Sequence, residues 1–353
     1  MPTSNHEDNT GHICAHSFDY DGCMAIFNHF KFSSSDWEIC ISRIHVIAEI
    51  LNSALKEDVE QILLLNGSAR QSARHDIYCR IYFFDRNGSD SGSAFYFLTE
   101  LEKYLKLSMK KKFVVEQERE KYAAKIKIVS FLMSDLRDKG AHDRNFNIAI
   151  NSPCFDKLYS EKDELVTVYN TSTDIIKGDE TKISLVYAQM QKLASENENK
   201  SITFHFYDDS YSIISDLFFA YSYNLDLIPK NVKLFIHCYP LSIYSYTQVP
   251  EKNFSFQGTG TADKNYTENS QSLRDLLNSN LSQNLGLFGR SNALQKALDT
   301  FSKKLKDDYL KVMNSESQTT SSTDICAPGF FGFKNPSGDP MAFSIGRQFR
   351  GYS

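Results

Sequence analysis

Two aspartates separated by one residue, in Phe18-Asp19-Tyr20-Asp21-Gly22-Cys23, close an apolar run that begins at Ile13. Along an extended strand residues i and i+2 share a face, so Asp19 and Asp21 at its end can both point into one pocket. A carboxylate pair of this kind can divide the work, one attacking an electrophile while the other moves a proton. Two further apolar runs also stop at polar residues. Gln61 to Leu65 ends in Asn66-Gly67-Ser68, and Ser201 to Tyr207 ends in Asp208-Asp209, with Lys182 opening the helix before it and Lys177 as a rival lysine. Each group also has an ordinary structural use: Asn-Gly-Ser is turn chemistry, an acidic pair can cap a helix, and a lysine can simply be solvated. Arg70, Gln71, Ser72 and Arg74 follow Ser68 closely and are expected either to line a pocket mouth or to form an exposed helical turn.

The elements that must position these groups read as alternating strands and helices. After the first strand, Ser35 and Glu38 fit a capping box, and Trp37, Ile41, Ile44, Leu51 and Leu55 recur at helical spacing. Ala94, Phe97, Leu98, Leu101 and Leu105 predict an amphipathic helix, whereas periodicity leaves Ile126 to Met133 open between a strand and a buried helix. Ile183, Val186, Tyr187, Met190 and Leu193 form a helical stripe. Ile202, Phe204 and Phe206 alternate as in a strand, a helix is expected over about 212–223, and Val232 to Cys238 is a further strand. Strands ending in polar residues and alternating with helices predict an α/β fold with a doubly wound parallel sheet, whose ligands sit at the carboxyl ends of the strands. Residues 1–250 are read as this core with a modest cap insertion around 75–178. A Ser/Asn/Thr/Gly-rich linker over 251–268 follows, then a helical C-terminal extension over 269–313 with its apolar stripe at Leu294, Leu298, Phe301, Leu305 and Tyr309. The flexible tail is 314–353.

The order Asp-x-Asp-Gly, strand-end Ser, Lys, acidic pair resembles the haloacid dehalogenase-like (HAD) superfamily of aspartate-nucleophile phosphatases, with Cys23 where that family usually has Thr or Val. The resemblance covers roughly 12–72 and 180–240. It implies a HAD-like Rossmannoid sheet and a magnesium-dependent phosphomonoester hydrolase. Asp19 would be the nucleophile, Asp21 the general acid and base, and Ser68 and Lys182 would hold the phosphoryl oxygens. Gly22, Gly67 and Arg70 would contact the substrate. Magnesium would be held by Asp19, the main-chain carbonyl of Asp21, and an acid from Asp208-Asp209. Short segments, Asp-Tyr-Asp-Gly-Cys and Asn-Gly-Ser-Ala-Arg-Gln-Ser, together with the helical extension, look most similar to HAD-type phosphotyrosine phosphatase effectors that intracellular bacterial pathogens deliver into host cells. A phosphorylated protein or peptide would then be the substrate, and a small cap would leave the pocket open to it. Alternatives are a small-molecule HAD phosphatase acting on a nucleotide or sugar phosphate, and a HAD-shaped binding module with weak catalysis.

Composition narrows the class further. With 353 residues, 41% apolar and 24% charged, the chain can bury a sizeable core. A net charge of −5 with both signs interleaved offers no basic stripe for nucleic acid, and Lys110-Lys111-Lys112 reads as a solvated face. Seven scattered cysteines without a C-x-x-C pair fit a reducing cytosol better than a disulfide framework or a zinc cluster. The histidines show no metal-ligand spacing and are expected on the surface or in the core. No secretory signal or membrane-spanning run is seen, so a cytoplasmic protein, or one delivered into a host cytosol, is expected. A monomer is expected, with weak peripheral contact to an anionic membrane through Lys296, Lys303, Lys304, Lys306 and Lys311 of the C-terminal helix.

Overall fold

A mostly parallel six-stranded sheet with strand order β3-β2-β1-β4-β5-β6 organises the protein. The structure is a computed structural model and describes residues 11–20, 23–24, 44–71, 76, 93–136, 146–147, 179–239, 252–281 and 287–319. The strands are β1 (His12–Phe18), β2 (Val59–Asn66), β3 (Ile126–Val129), β4 (Ser201–Asp208), β5 (Val232–Cys238) and β6 (Lys252–Gln257). The first five run parallel, and β6 joins β5 antiparallel at one edge. The helices are α1 (Ile44–Ala54), α2 (Ala94–Lys112), α3 (Glu116–Ala123), α4 (Ile183–Glu196), α5 (Tyr211–Tyr223), α6 (Tyr266–Leu281) and α7 (Leu287–Thr319).

Strands covered on both faces read as nearly continuous apolar runs, and β1, buried along six of its seven positions, is of this type. Alternation sends Ile13 and Ala15 to one face, where Phe204, Phe206, Leu234 and Ile236 join them under Val186, Tyr187 and Met190 of α4 and Leu217 and Tyr221 of α5. The other face carries Cys14, Phe18, Ile62 and Leu64 beneath Val46 and Ile50 of α1 and Phe97, Leu98, Leu101 and Leu105 of α2. Burying such side chains stabilises by about 1.5–3 kcal/mol each before conformational entropy is set against it. The three layers are the doubly wound architecture that the alternating pattern predicted.

On the α1 and α2 face three core histidines lie across neighbouring strands. His16 stacks on His205 at 4.8 Å and His205 on His237 at 5.2 Å. A hydrogen-bond chain runs through His205 Nδ1 and His237 Nε2 at 2.9 Å to Asn253 Oδ1, which lies 2.7 Å from His237 Nδ1. Burial, and then the neighbouring His237, pushes the His16 imidazole down to about 3, and burial holds His205 well below its usual range.

Several boundaries differ from the sequence reading. Residues 252–257, within the expected linker, form β6: Phe254 and Phe256 alternate with exposed Asn253, Ser255 and Gln257, and both rings pack on Phe218 of α5, at 4.6 and 5.8 Å. Only one face of this edge strand is apolar, so its composition reads as loop. α6 begins at Tyr266 and α7 runs to Thr319, past the expected end near Met313. Ile126 to Met133 resolves as β3 followed by a 3₁₀ turn at Met133–Leu136. Residues 93–136 therefore build the crossover helix and an edge strand of the sheet, and the rest of the expected cap lies largely outside the described residues, as do the capping box at Ser35 and Glu38 and the tail beyond 319. The chain divides into units 1–306 and 307–353. In the first, Leu294, Ala297, Leu298 and Phe301 of α7 are buried in the core, so these four side chains pack within the protein. In the second, the described residues 307–319 are helical. No helix among the described residues is long and apolar enough to cross a membrane.

Candidate active site

In a sheet of this order the connections leave β1 and β4 in opposite directions, which opens a crevice at their carboxyl ends. Asp19 is the first residue after β1 and Asp208 the last of β4, with Asp209 next to it, so this crevice is lined by carboxylates. Backbone pairing continues past the strands and fixes the loops: Asp19 N donates to Tyr207 O at 2.9 Å, Gly67 N to Phe18 O at 2.7 Å, and Tyr239 N to Asp208 O at 2.8 Å. One ligand oxygen from each of Asp19, Asp208 and Asp209 lies within 4.8 Å of the others. Three hard oxygen donors that close suit a small divalent cation such as magnesium.

Lys182 completes the group. Its Nζ donates to Asp19 Oδ1 and to Asp208 Oδ2, both at 2.7 Å, and all three side chains are nearly excluded from solvent. Burial acts to lower the lysine's pKa, but the two adjacent carboxylate charges and their hydrogen bonds overcome it, and the ammonium is held above its usual range. Asp208 Oδ1 accepts from Ser210 N at 2.8 Å, leaving its carboxylate fixed from both ends. Lys182 occupies the N-cap position of α4 with φ 58 and ψ 11, the one non-glycine residue in a left-handed conformation among the described residues.

The Ser68 loop is knitted to the same edge. A Cβ on Gly67 would meet Ser17 Oγ at 2.7 Å and the Phe18 carbonyl carbon at 2.9 Å, so only glycine lets this loop cross so close to the residues preceding Asp19. Ser68 is buried, its N–H donating to Asn66 Oδ1 at 3.0 Å. Gln71 Nε2 donates to Ser68 O at 2.6 Å and Asn66 O at 3.1 Å, and Gln189 Nε2 of α4 reaches Asn66 O at 2.9 Å while its Oε1 accepts from Ser17 Oγ at 2.7 Å. Asn66 and Gln189 were not foreseen. The sequence does carry a trace of Gln189: a polar residue inside the stripe of a helix buried on most sides.

Arg70 is buried rather than part of an exposed helical turn. Its side chain is 2% exposed, Nη1 lies 3.3 Å from Oδ1 of the fully buried Asp76, and the guanidinium sits 5.0 Å above the Tyr20 ring. Asp76 in turn accepts from Ser93 Oγ and Ala94 N at the start of α2, at 2.6 and 3.0 Å. The pair thus anchors the loop after β2 to α2, which is a structural use of an arginine expected to meet substrate. Gln71, expected beside it, is likewise turned into the loop. Asp21, Gly22, Ser72, Arg74 and Lys177 lie outside the described residues.

Of the expected site residues, the structure brings Asp19, Lys182, Asp208 and Asp209 into one cluster, sets Gly67 and Ser68 on the neighbouring loop, and buries Arg70 against Asp76 and Tyr20. No family model, curated protein or solved structure matches the chain.

Proposed function

We propose that the protein is a phosphomonoester hydrolase of the HAD type, dependent on magnesium, with Asp19 as its nucleophile. The single observation that supports it most is the meeting of Asp19, Lys182, Asp208 and Asp209 at the switch point of the sheet, from segments far apart in sequence. A buried nucleophilic carboxylate repels a phosphoryl dianion, and the cluster supplies the remedy. Asp19, Asp208 and Asp209 would hold the magnesium ion, which when bound neutralises charge between carboxylate and phosphate. Lys182 adds a fixed positive charge beside Asp19, aimed where negative charge gathers in the transition state.

In the first step an Asp19 oxygen bonds to phosphorus as the bond to the leaving oxygen breaks, and Asp21 gives that oxygen a proton. In the second, water attacks phosphorus, Asp21 takes its proton, and the bond to Asp19 breaks to release inorganic phosphate. Splitting one displacement into two lowers each barrier, and the proton shuttle is worth typically about 10²–10⁴-fold. Ser68, one residue beyond the Gly67 contact to Phe18, is suited to donate a hydrogen bond to a phosphoryl oxygen.

A phosphorylated protein or peptide, with phosphotyrosine first, is the substrate class we favour, on the resemblance of the short segments around Asp19 and Ser68. The test is hydrolysis of p-nitrophenyl phosphate with magnesium and with EDTA, followed by a panel of phosphopeptides, nucleotides and sugar phosphates. Magnesium-dependent turnover that Asp19→Asn abolishes in a folded protein is expected. Undiminished turnover in that variant removes Asp19 as nucleophile, preference for a metabolite identifies a small-molecule phosphatase, and silence across the panel identifies a binding module.

A further inference from the structure

Lys182 carries its ammonium to the carboxylates from a backbone conformation that an L residue adopts at a cost, because its Cβ crowds the following carbonyl. Lys182 does not use its side chain to cap α4. Asp179 does that work instead. Its Oδ1 accepts from Thr181 N and Ile183 N, both at 3.1 Å, and from Thr181 Oγ1. Its Oδ2 accepts from Ser184 N at 3.1 Å and from Ser184 Oγ. The turn closes with Lys182 N donating to Asp179 O at 3.2 Å. Asp179, Thr181 and Ser184 are all buried, so every residue flanking Lys182 is tied to one carboxylate, while Lys182 itself projects to Asp19 and Asp208. On the far side, Tyr221 of α5 donates to Ile183 O at 3.0 Å and locks the start of the helix.

We propose that Asp179 is a positioning residue whose carboxylate holds Lys182 in its left-handed conformation and so keeps the ammonium between Asp19 and Asp208. The proposal deepens the hydrolase reading and rests on it for the catalytic consequence. Without the carboxylate the turn relaxes toward the right-handed helical region, α4 gains one residue at its start, and the ammonium leaves the crevice. Two effects of opposite sign follow. Turnover falls, because the charge beside the nucleophile is gone. Binding of a divalent cation strengthens, because the ammonium no longer occupies an oxygen of Asp19 and one of Asp208. A side chain that merely stabilised the fold would move both properties together or neither.

The experiment compares wild type, Asp179→Asn and Asp179→Ala for magnesium affinity by calorimetry and for kcat and KM on p-nitrophenyl phosphate, with circular dichroism to establish that each is folded. Asp179→Ala should bind magnesium several-fold more tightly and lose kcat by about 10²-fold, a loss of the size seen when one transition-state donor is removed. Asp179→Asn keeps one carbonyl oxygen for one side of the turn and should fall between the two. Should the alanine variant not fold, the same pair of readouts on the asparagine variant decides. Unchanged magnesium affinity and unchanged kcat in a folded variant overturn the proposal. If wild type hydrolyses no phosphomonoester, the hydrolase reading falls by itself, and the magnesium comparison still decides whether Asp179 positions Lys182: tighter binding supports it and equal binding overturns it.

Discussion

Replacing Lys182 by methionine removes a charge and little else. The two side chains are of similar length, and the left-handed backbone strain at position 182 is the same for both, since both carry a Cβ. What remains is a pair of carboxylates, Asp19 and Asp208, buried with relative exposures of 6% and 0% and stripped of a partner 2.7 Å from each. Breaking a buried ion pair from one side costs about 3–5 kcal/mol, and for a chain of this size that corresponds to a fall in melting temperature of about 4–7 °C. The expected result in EDTA at pH 7.5 is such a fall. Magnesium should then restore more stability to Lys182→Met than to wild type, since ligand at 100 times its Kd contributes about 2.7 kcal/mol and the ammonium no longer competes for the carboxylate oxygens. Differential scanning fluorimetry of both proteins with EDTA and with magnesium makes the comparison. Equal melting temperatures in EDTA together with equal magnesium shifts would refute the account of the cluster as a charge-balanced group.

Arg70→Met should lower stability by removing the guanidinium 3.3 Å from the buried Asp76 carboxylate, yet leave KM for p-nitrophenyl phosphate unchanged. Urea unfolding and steady-state kinetics read the two effects, and a raised KM at wild-type stability would return Arg70 to the substrate. Stability should also depend on acid through His16. Its folded pKa of about 3 lies below the unfolded value of 6.5, so it takes a proton on unfolding between those limits. Above pH 6.5 it leaves stability unaffected; below, stability falls by roughly 1.4 kcal/mol per pH unit for this histidine alone. Urea midpoints at pH 7.5, 6 and 5 test this, with the pH slope of His16→Gln expected to be shallower by one proton.

Much of the sheet could be read from the chain because β1, β2, β4 and β5 are buried on both faces and write that burial as apolar runs, while each cluster residue interrupts the pattern at a strand end or helix start. β6 was hidden by being an edge strand with a single apolar face, where Phe254 and Phe256 are diluted by Asn, Ser and Gln. The burial of Arg70 is not legible in the chain, because proximity to Ser68 says nothing of Asp76, whose buried carboxylate holds the guanidinium. Asp179 and Gln189 escaped notice for a related reason. Their partners are backbone groups and short polar side chains brought together by folding, and neither residue type announces such a role at its position.

The outer strands carry a consequence for behaviour in concentrated solution. A parallel sheet left open would present a row of unsatisfied amides to any neighbouring chain. Here one rim is β3, only four residues long and interrupted by Lys127, and the other is β6, whose outward positions Asn253, Ser255 and Gln257 are polar. Among the described residues neither rim offers the long, flat, greasy template on which fibrils grow, and both rims are the strands whose apolar pattern is weakest in the chain.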